Sequence, residues 1–240
     1  MNLILLSDKD FLKTNRVKLT GRRFEHVRDI LKSKIGDVLS VGKINGLIGQ
    51  GKIVNIDKDF LEINVGNGRD HSLHQKPPAP LDLIVIMALP RPPMLRRTLQ
   101  ALSSLGVKKI IILNFAKVEK SLWQSSALRP EAIKEDLILG LEQAKDTVLP
   151  EVILKRQFKP FVEDELAAII KNKKAFVAHP GIKKALPRVG KNAVLIIGPE
   201  GGLNDFEVNL FKSKGVQIVN LGQRILRFEN AITYAIGKMF

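Results

Sequence analysis

A glycine-rich turn follows one of the most apolar runs of the chain and is a candidate ligand-binding loop. The apolar run 193–197 is followed by Gly198-Pro-Glu-Gly-Gly202, and glycine lets a backbone approach a ligand closely or adopt a positive φ. Asn204 and Glu207 come next with the spacing of a capping box, which predicts a helix start. Ligands of open α/β sheets bind beyond the carboxyl ends of the strands. The turn could equally be a structural strand-to-helix connection, since short motifs are weak evidence.

Two further turns carry side chains that could complete such a site. The stretch 220–231 contains a glycine and then Arg224, Arg227 and Glu229, and arginine can stabilise developing negative charge or bind a phosphate with two hydrogen bonds. The alternative is an ordinary helix start in which Glu229 complements the helix dipole. His179 lies in a third turn, where a single histidine is more often a loop residue than a catalyst. No G-x-G-x-x-G opens a helix, and no P-loop ending is present, so dinucleotide-binding and kinase-like sites are disfavoured.

Strands and helices alternate around these turns. Short apolar runs predict strands at 83–89, 109–114, 175–178, 193–197 and 217–220. Between and after them, helical patterns cover 94–105, 130–146, 162–171, 205–213 and 229–240. This alternation predicts a parallel sheet with helices on both faces.

The first 74 residues show a different pattern. Short apolar runs at 38–41, 52–56 and 60–65 are separated by glycine and asparagine, and Asn45-Gly46 is typical of a β-hairpin turn. One short helix is predicted near 23–34. We therefore expect a small β-rich domain over residues 1–74 and a stiff proline-rich linker over 75–80, because three prolines in six residues disfavour helix and central strand.

Charge and composition indicate the class of partner. Lysine and arginine number 39 against 24 acidic residues, a net charge of +15, and most of this excess lies after residue 74. Such a balance attracts polyanions, so a nucleic acid is the expected partner. Aromatic residues make up only 5%, which disfavours a large base-stacking platform. There is no cysteine and no apolar run of membrane-spanning length, and the apolar start is too short for a signal peptide, so we expect a soluble, cytoplasmic protein.

Two motifs stand in order in the second part of the chain: Ile196-Ile-Gly-Pro-Glu-Gly-Gly202 and Leu221-Gly-Gln-Arg-Ile-Leu-Arg227. Together they resemble the RsmE family of ribosomal RNA methyltransferases, members of the SPOUT superfamily. Weaker similarities at suitable spacing extend across nearly the whole chain: His26-Val-Arg-Asp-Ile-Leu-Lys32 with Gly36-Asp37, Leu105-Gly-Val107, and Glu142-Gln143 with Pro150-Glu151.

The resemblance implies a fold and an activity. The fold is α/β: a C-terminal, trefoil-knotted, parallel-sheet methyltransferase domain over 81–240, preceded by a small PUA-like β-barrel that binds RNA. The activity is S-adenosylmethionine-dependent methylation of N3 of a uridine in small-subunit (16S) ribosomal RNA, with the ribosomal RNA or the small subunit as partner. The resemblance also implies a homodimer, and the apolar stripe of the last predicted helix could be its interface or ordinary core: Ala231, Ile232, Ala235, Ile236 and Met239.

Site residues follow from the same resemblance. The expected catalytic residues are Arg227 and Glu229, the latter orienting Arg227 or the base. The cofactor is expected to contact the three turns, through His179, Pro180, Gly181, Ile197, Gly198, Pro199, Glu200, Gly201, Gly202, Leu221, Gly222, Ile225 and Leu226. RNA is expected to contact basic residues of both parts of the chain, namely Arg22, Arg23, His26, Arg28, Lys32, Arg91 and Arg224. No metal is expected.

The chain departs from the family pattern at a few positions that concern the reaction and the RNA: Lys32, Met94, Asp146, Phe228 and Asn230. Two other functions therefore remain open. One is a non-catalytic RNA-binding paralogue of the same fold. The other is an α/β enzyme that acts on a small anionic ligand at the glycine-rich loop.

Overall fold

A mostly antiparallel sheet forms the N-terminal part of the chain in the computed structural model, which describes residues 2–66 and 72–240. Its strands are β1 (Ile4–Leu6), β2 (Phe11–Lys13), β3 (Arg16–Thr20), β4 (Val38–Lys43), β5 (Ile48–Ile56), β6 (Phe60–Asn64) and β7 (Leu73–Gln75). The order is β1-β4-β5-β6-β3-β2, with β7 beside β5, and β1 runs parallel to β4. Helix α1 (Gly21–Glu25) continues into a π-helical turn, His26–Ile30, and Lys32 then takes a positive φ that ends the helix.

The predicted hairpin is present between β4 and β5. Asn45 has a φ of 58°, a conformation that asparagine tolerates well, and Gly42 pairs with Ile48 across the antiparallel strands. Strand β6 lies within the predicted apolar run 60–65, and its residues alternate in burial, with Leu61 and Ile63 buried. The short strands β1, β2 and β7 escaped sequence analysis because three residues give too few positions to show a period.

A parallel sheet lies in the C-terminal part and confirms the predicted mixed α/β fold. Its strands are β8 (Leu83–Ala88), β9 (Lys109–Leu113), β10 (Glu151–Lys155), β11 (Lys174–Ala178), β12 (Ala193–Ile197) and β13 (Gln217–Val219), in the order β10-β9-β8-β12-β11-β13. All five residues of β12 are buried. Since neighbouring side chains point to opposite faces, both faces of the sheet are covered. The edge strand β10 was not predicted, because only three apolar residues separate its charged ends.

Helices follow the strands close to the predicted bounds. They are α2 (Pro92–Ser104), α3 (Pro130–Ala144), α4 (Phe158–Pro160), α5 (Leu166–Ile170), α6 (Asp205–Ser213) and α7 (Phe228–Met239), with a π-helical turn, Phe161–Glu165, between α4 and α5. On α7 the predicted apolar stripe is core within the single chain, because Ile232, Ala235, Ile236 and Met239 are buried. None of the helices in the described ranges is long and apolar enough to cross a membrane.

The chain divides into two units, and the boundary differs from the one drawn on the sequence. The N-terminal unit comprises residues 1–79 together with 138–149, and the C-terminal unit comprises 80–137 and 150–240. Within the N-terminal unit, Leu141 packs with Leu3 and Leu5, and the Thr147 hydroxyl donates to the Gly46 carbonyl at 2.5 Å. The sequence-based division left 138–149 in the C-terminal domain, because the helical pattern of α3 runs on without a break.

Candidate active site

The glycine-rich turn connects β12 to α6 and has the local structure predicted for it. The side-chain oxygen of Asn204 accepts the Glu207 amide at 2.8 Å, and Glu207 Oε2 accepts the Asn204 amide at 3.0 Å, which completes the capping box. Gly202 has a φ of 72°, which favours glycine. A Cβ on Gly198 would lie 2.8 Å from Leu203 Cδ2. The two glycines are therefore required for different reasons, one by conformation and one by space.

The turns after β11 and β13 are joined to each other. The His179 amide donates to the Val219 carbonyl at 2.8 Å, and the Asn220 side-chain amide donates to the Ile182 carbonyl. Gly222 follows with a φ of 137°, and its amide donates to Asn220 Oδ1 at 3.0 Å. These bonds hold the two turns together at the carboxyl edge of the sheet.

All three turns line one cavity of about 370 Å³, named here the first cavity. Most of the residues predicted to bind the cofactor lie on its wall: His179, Pro180, Ile197, Gly198, Pro199, Glu200, Gly202, Leu221, Gly222, Ile225 and Leu226. Gly181 and Gly201 do not. Sequence analysis missed Ala178, Leu203, Phe228 and Ala231, which also line it. The volume falls within the roughly 300–1,000 Å³ of small-molecule sites.

A polar group without a partner lies in the wall of the first cavity. The Nδ1 atom of His179 is buried and has no hydrogen-bond partner among the described residues. Buried polar atoms are usually paired, so an unpaired one at a cavity indicates a position for a ligand group. The rest of the wall is largely apolar, with Ile197, Leu203 and Leu226. A largely apolar wall with a few polar side chains, among them His179, Glu200 and Arg227, suits a small organic ligand.

The two predicted catalytic residues differ in position. Arg227 is exposed, precedes α7 as its N-cap residue, and lines the first cavity. Glu229 lies in the first turn of α7, lines neither this cavity nor the one described next, and forms no ion pair with Arg227. Its Oε2 atom is buried without a partner in the described part of the chain. The predicted orienting contact from Glu229 to Arg227 is thus not formed.

A second cavity of about 180 Å³ adjoins the first, and the two share Pro199, Glu200 and Phe228 in their walls. It lies where β8 and β9 end, and its polar side chains include Arg91 and Lys117. The Arg91 guanidinium is 3.2 Å from Glu119 Oε1, and the Lys117 ammonium donates to the Gly201 carbonyl at 2.7 Å.

Lys117 and Glu119 were missed by sequence analysis. The rule that ligands bind beyond the carboxyl ends of strands, applied to β9 as it was to β12, would have found them.

A sequence profile of the RNA methyltransferase domain family matches residues 77–239. The chain belongs to this family. Ribosomal RNA small subunit methyltransferase E of Treponema pallidum is 28% identical to this RNA methyltransferase over 96% of the chain and 87% of its own length. The protein of the same name from Bacillus subtilis is 22% identical over 91% of the chain and 87% of its own length. The predicted membership of the RsmE family is confirmed, and the small-anion enzyme is no longer a candidate.

Solved structures share the fold of this methyltransferase. A putative methyltransferase from Legionella pneumophila, in complex with bound cofactor SAM, superposes with a TM-score of 0.79 at 22% identity over 98% of this chain and 95% of that chain. A ribosomal RNA small subunit methyltransferase E from Neisseria gonorrhoeae, bound to S-adenosyl methionine, gives 0.75 at 21% identity over 99% and 95%.

The N-terminal residues predicted to bind RNA are largely engaged within their own unit. Arg22 is 2.8 Å from Glu142 Oε2, and burial raises the pKa of Glu142 although Arg22 opposes the shift. Arg23 donates to both carboxylate oxygens of Asp10 and to the Leu5 carbonyl. Burial raises the pKa of Asp10, but hydrogen bonds from Arg23 and Ser7 outweigh it and lower the pKa overall. Arg23 therefore has a structural role within its unit, and its predicted contact with RNA stays a prediction.

The remaining basic residues of this group differ in exposure. Arg28 is exposed, pairs with Asp29 at 2.6 Å, and lies over the Phe24 ring. Lys32 is exposed as well. Burial lowers the pKa of His26, and its Nε2 atom is buried without a partner among the described residues. Arg22, Arg28 and Lys32 are thus the members of the N-terminal group that are exposed to solvent, although Arg22 and Arg28 each pair with a carboxylate.

Proposed function

We propose that this protein transfers a methyl group from S-adenosylmethionine to N3 of a uridine in small-subunit ribosomal RNA. The observation that carries the proposal is the pair of adjoining cavities at the carboxyl edge of the sheet, one suited to the cofactor and one to a base. The relatives named for this RNA are matched over nearly their whole length. We further propose that the protein acts in the cytoplasm, where the RNA is available.

The first cavity is assigned to the cofactor. His179 Nδ1 has no partner and is placed to hydrogen-bond an adenine or a ribose, while Ile197, Leu203 and Leu226 provide apolar contact. Gly198 and Gly202 let the loop backbone take its shape without a side chain in the way. When bound, the cofactor supplies a methyl group on a positively charged sulfur.

The second cavity is assigned to the target uridine. Arg91 and Lys117 provide positive charge for the nucleotide, and Phe228 forms part of the wall shared with the first cavity. The N3 atom carries a proton that must leave as the N3–methyl bond forms. Glu200 is the carboxylate that lines both cavities within the described ranges, so its oxygen is placed to accept this proton and pass it to solvent.

Arg227 is assigned to the negative charge that develops on the uracil as N3 loses its proton. Arg227 lines the first cavity and directly precedes Phe228, which lines both cavities. A fixed cation aimed at developing charge stabilises a transition state without reorganisation. Glu229 is placed to complement the dipole of α7 and is not assigned a step.

Three further features of the architecture belong to the proposal. The strand order β8-β12-β11-β13 departs from chain order, which supports a trefoil knot in the C-terminal domain. Strand β6 pairs antiparallel with both β3 and β5, and this arrangement supports a PUA-like N-terminal domain. A homodimer rests on family likeness alone, because the apolar stripe of α7 is core within one chain.

Methyl incorporation tests the proposal. Small ribosomal subunits from cells that lack this gene are incubated with the protein and labelled S-adenosylmethionine, and modified uridines are mapped by mass spectrometry. We expect one 3-methyluridine that is absent without the protein. If the protein binds RNA but incorporates no methyl group, the non-catalytic paralogue is favoured. That alternative is motivated by Phe228, which departs from the family pattern and lies in the wall shared by the two cavities.

A further inference from the structure

The geometry points to a nucleobase site beside the second cavity, where a base next to the target uridine stacks on phenylalanine. The site is a recess of about 330 Å³, named here the aromatic recess, whose walls include Phe115, Phe158, Phe206, Lys120 and Lys159. The inference rests on the proposed function, because it takes single-stranded RNA as the substrate class.

The phenylalanine rings form a cluster that is buried on one side and open on the other. The Phe158 ring lies 5.2 Å from Phe115, 5.4 Å from Phe211 and 6.4 Å from Phe206, measured between centroids. Phe115 and Phe211 are fully buried, whereas Phe206 is 53% exposed in the first turn of α6. The inner rings fix Phe158 in place. Phe206 therefore presents a large apolar surface to solvent that the core does not need.

The charges around the aromatic recess suit a polyanion. Lys120 and Lys159 lie on its wall, and both are exposed. The Lys159 Nζ atom lies 3.8 Å from Glu163 Oε1, and an exposed ion pair of this kind contributes little to stability. The carboxylate on the wall is that of Glu207, and it is buried and accepts the amides of Ala116 and Asn204. The recess thus combines an aromatic surface with cationic side chains, which is the chemistry of single-strand RNA sites.

The aromatic recess continues the line of cavities that the proposed reaction uses. Val118 lines both the recess and the second cavity. The second cavity in turn shares Pro199, Glu200 and Phe228 with the first. A strand whose uridine occupies the second cavity therefore has the recess beside it for a neighbouring base. The low content of aromatic residues did not predict this cluster of phenylalanine rings, because the four rings come from three separate segments of the chain.

A binding experiment on the full-length protein tests the inference. The probe is a short single-stranded RNA with a central uridine, labelled with fluorescein, and a second version carries 2-aminopurine beside the uridine. Phe206→Ala should weaken affinity about tenfold, within the range for loss of one base–aromatic stack. Phe206→Trp should bind like the parent protein and keep the quenching of 2-aminopurine. Lys212→Ala, an exposed charge change on the same helix, is the matched control and should change affinity by less than about twofold.

The outcomes separate this site from the proposed function. If Phe206→Ala binds RNA as the parent does, or if Phe206→Leu binds as well as Phe206→Trp, stacking at Phe206 is wrong. If Phe206→Ala changes the sedimenting mass and not the RNA affinity, the recess is a contact between protein chains. If the parent protein transfers no methyl group to the RNA, the proposed function is wrong, but the binding results for the Phe206 variants still test the stacking site. Equal melting temperatures of the Phe206 variants check that each is folded.

Discussion

The backbone amide of Ala116 donates a 2.8 Å hydrogen bond to Oε1 of Glu207. The other oxygen of the same buried carboxylate accepts the amide of Asn204, which follows the glycine-rich turn. One side chain therefore joins the segment after β9 to the start of α6. The turn that borders both cavities and the segment that carries Lys117 are held in one arrangement by this carboxylate.

Glu207→Ala should lower the free energy of unfolding by about 2–5 kcal/mol. The change removes the reciprocal capping interaction, worth roughly 0.5–2 kcal/mol, and the partly buried hydrogen bond from the Ala116 amide to a charged carboxylate, worth about 1.5–3 kcal/mol. Urea denaturation measures the difference. Glu207→Gln keeps one acceptor oxygen and should lose less.

Glu131→Ala is the matched control for this change, because Glu131 is an exposed acidic residue in the first turn of α3. It should cost no more than about 1 kcal/mol, the contribution of an acidic side chain to the helix dipole. A Glu207→Ala protein as stable as Glu131→Ala would show that the carboxylate does not join the two segments.

The ion pair of Arg23 and Asp10 should make stability depend on pH in the acidic range. The folded pKa of Asp10 lies below the ordinary value of 3.8, so the ionised form is favoured by folding. The stability that it contributes is present above the unfolded pKa and is lost as pH falls through the folded pKa. Arg23→Ala should therefore lower the free energy of unfolding at neutral pH by about 1.5–3 kcal/mol, the range for hydrogen bonds to a charged group. The deficit should shrink below pH 3.8.

Arg28→Ala serves as the control, since Arg28 and Asp29 form an exposed pair and its loss should leave the denaturation midpoint unchanged. If RNA affinity falls in Arg23→Ala while stability does not, Arg23 contacts RNA and the structural role assigned here is wrong.

Sequence patterns identified the parts of the site that local chemistry determines. Gly202 and Asn204 predicted the glycine turn and the helix start, since a positive φ and a capping box leave a signature in adjacent residues. The residues that tertiary packing brings to the site left no such signature. Lys117 reaches Gly201 across the sheet edge, and Phe206 joins a cluster of rings from distant segments.

The unit boundary could not be predicted for the same reason. Residues 138–144 continue the helical pattern of α3, and nothing in their spacing distinguishes them from the residues before. Their membership of the N-terminal unit depends on contacts such as that of Leu149 with Asn45, whose side-chain oxygen accepts the Leu149 amide at 2.8 Å. Contacts between residues so far apart in the chain are properties of the folded structure.

Gly202→Val should weaken binding of S-adenosylmethionine about tenfold or more. Space is not the cause, because a Cβ on Gly202 would meet nothing within 4 Å. The cause is the φ of 72°, which a β-branched residue adopts only at a cost of about 1–3 kcal/mol, so the loop backbone shifts. Calorimetric titration measures the affinity. Gly237→Ala is the control, because Gly237 is exposed on α7 and an added Cβ would meet no atom within 4 Å; this change should leave the cofactor affinity unchanged. If Gly202→Val binds the cofactor as tightly as the parent protein, the loop is not part of the cofactor site.

Arg227→Ala should slow methyl transfer about tenfold or more while cofactor affinity stays nearly constant. The side chain is exposed and makes no capping hydrogen bond, so its removal should leave the fold intact. A tenfold loss corresponds to ~1.4 kcal/mol of transition-state stabilisation, the least expected when a cation facing developing charge is removed. Single-turnover methylation of the small ribosomal subunit measures the rate of methyl transfer, and calorimetric titration measures the affinity for the cofactor. Lys212→Ala is the control for loss of a positive charge. Because Arg227 lies on the wall of the first cavity, a purely cofactor-binding role predicts the opposite division: weaker cofactor binding and an unchanged rate at saturation. A rate equal to that of the parent protein rules out the assigned role.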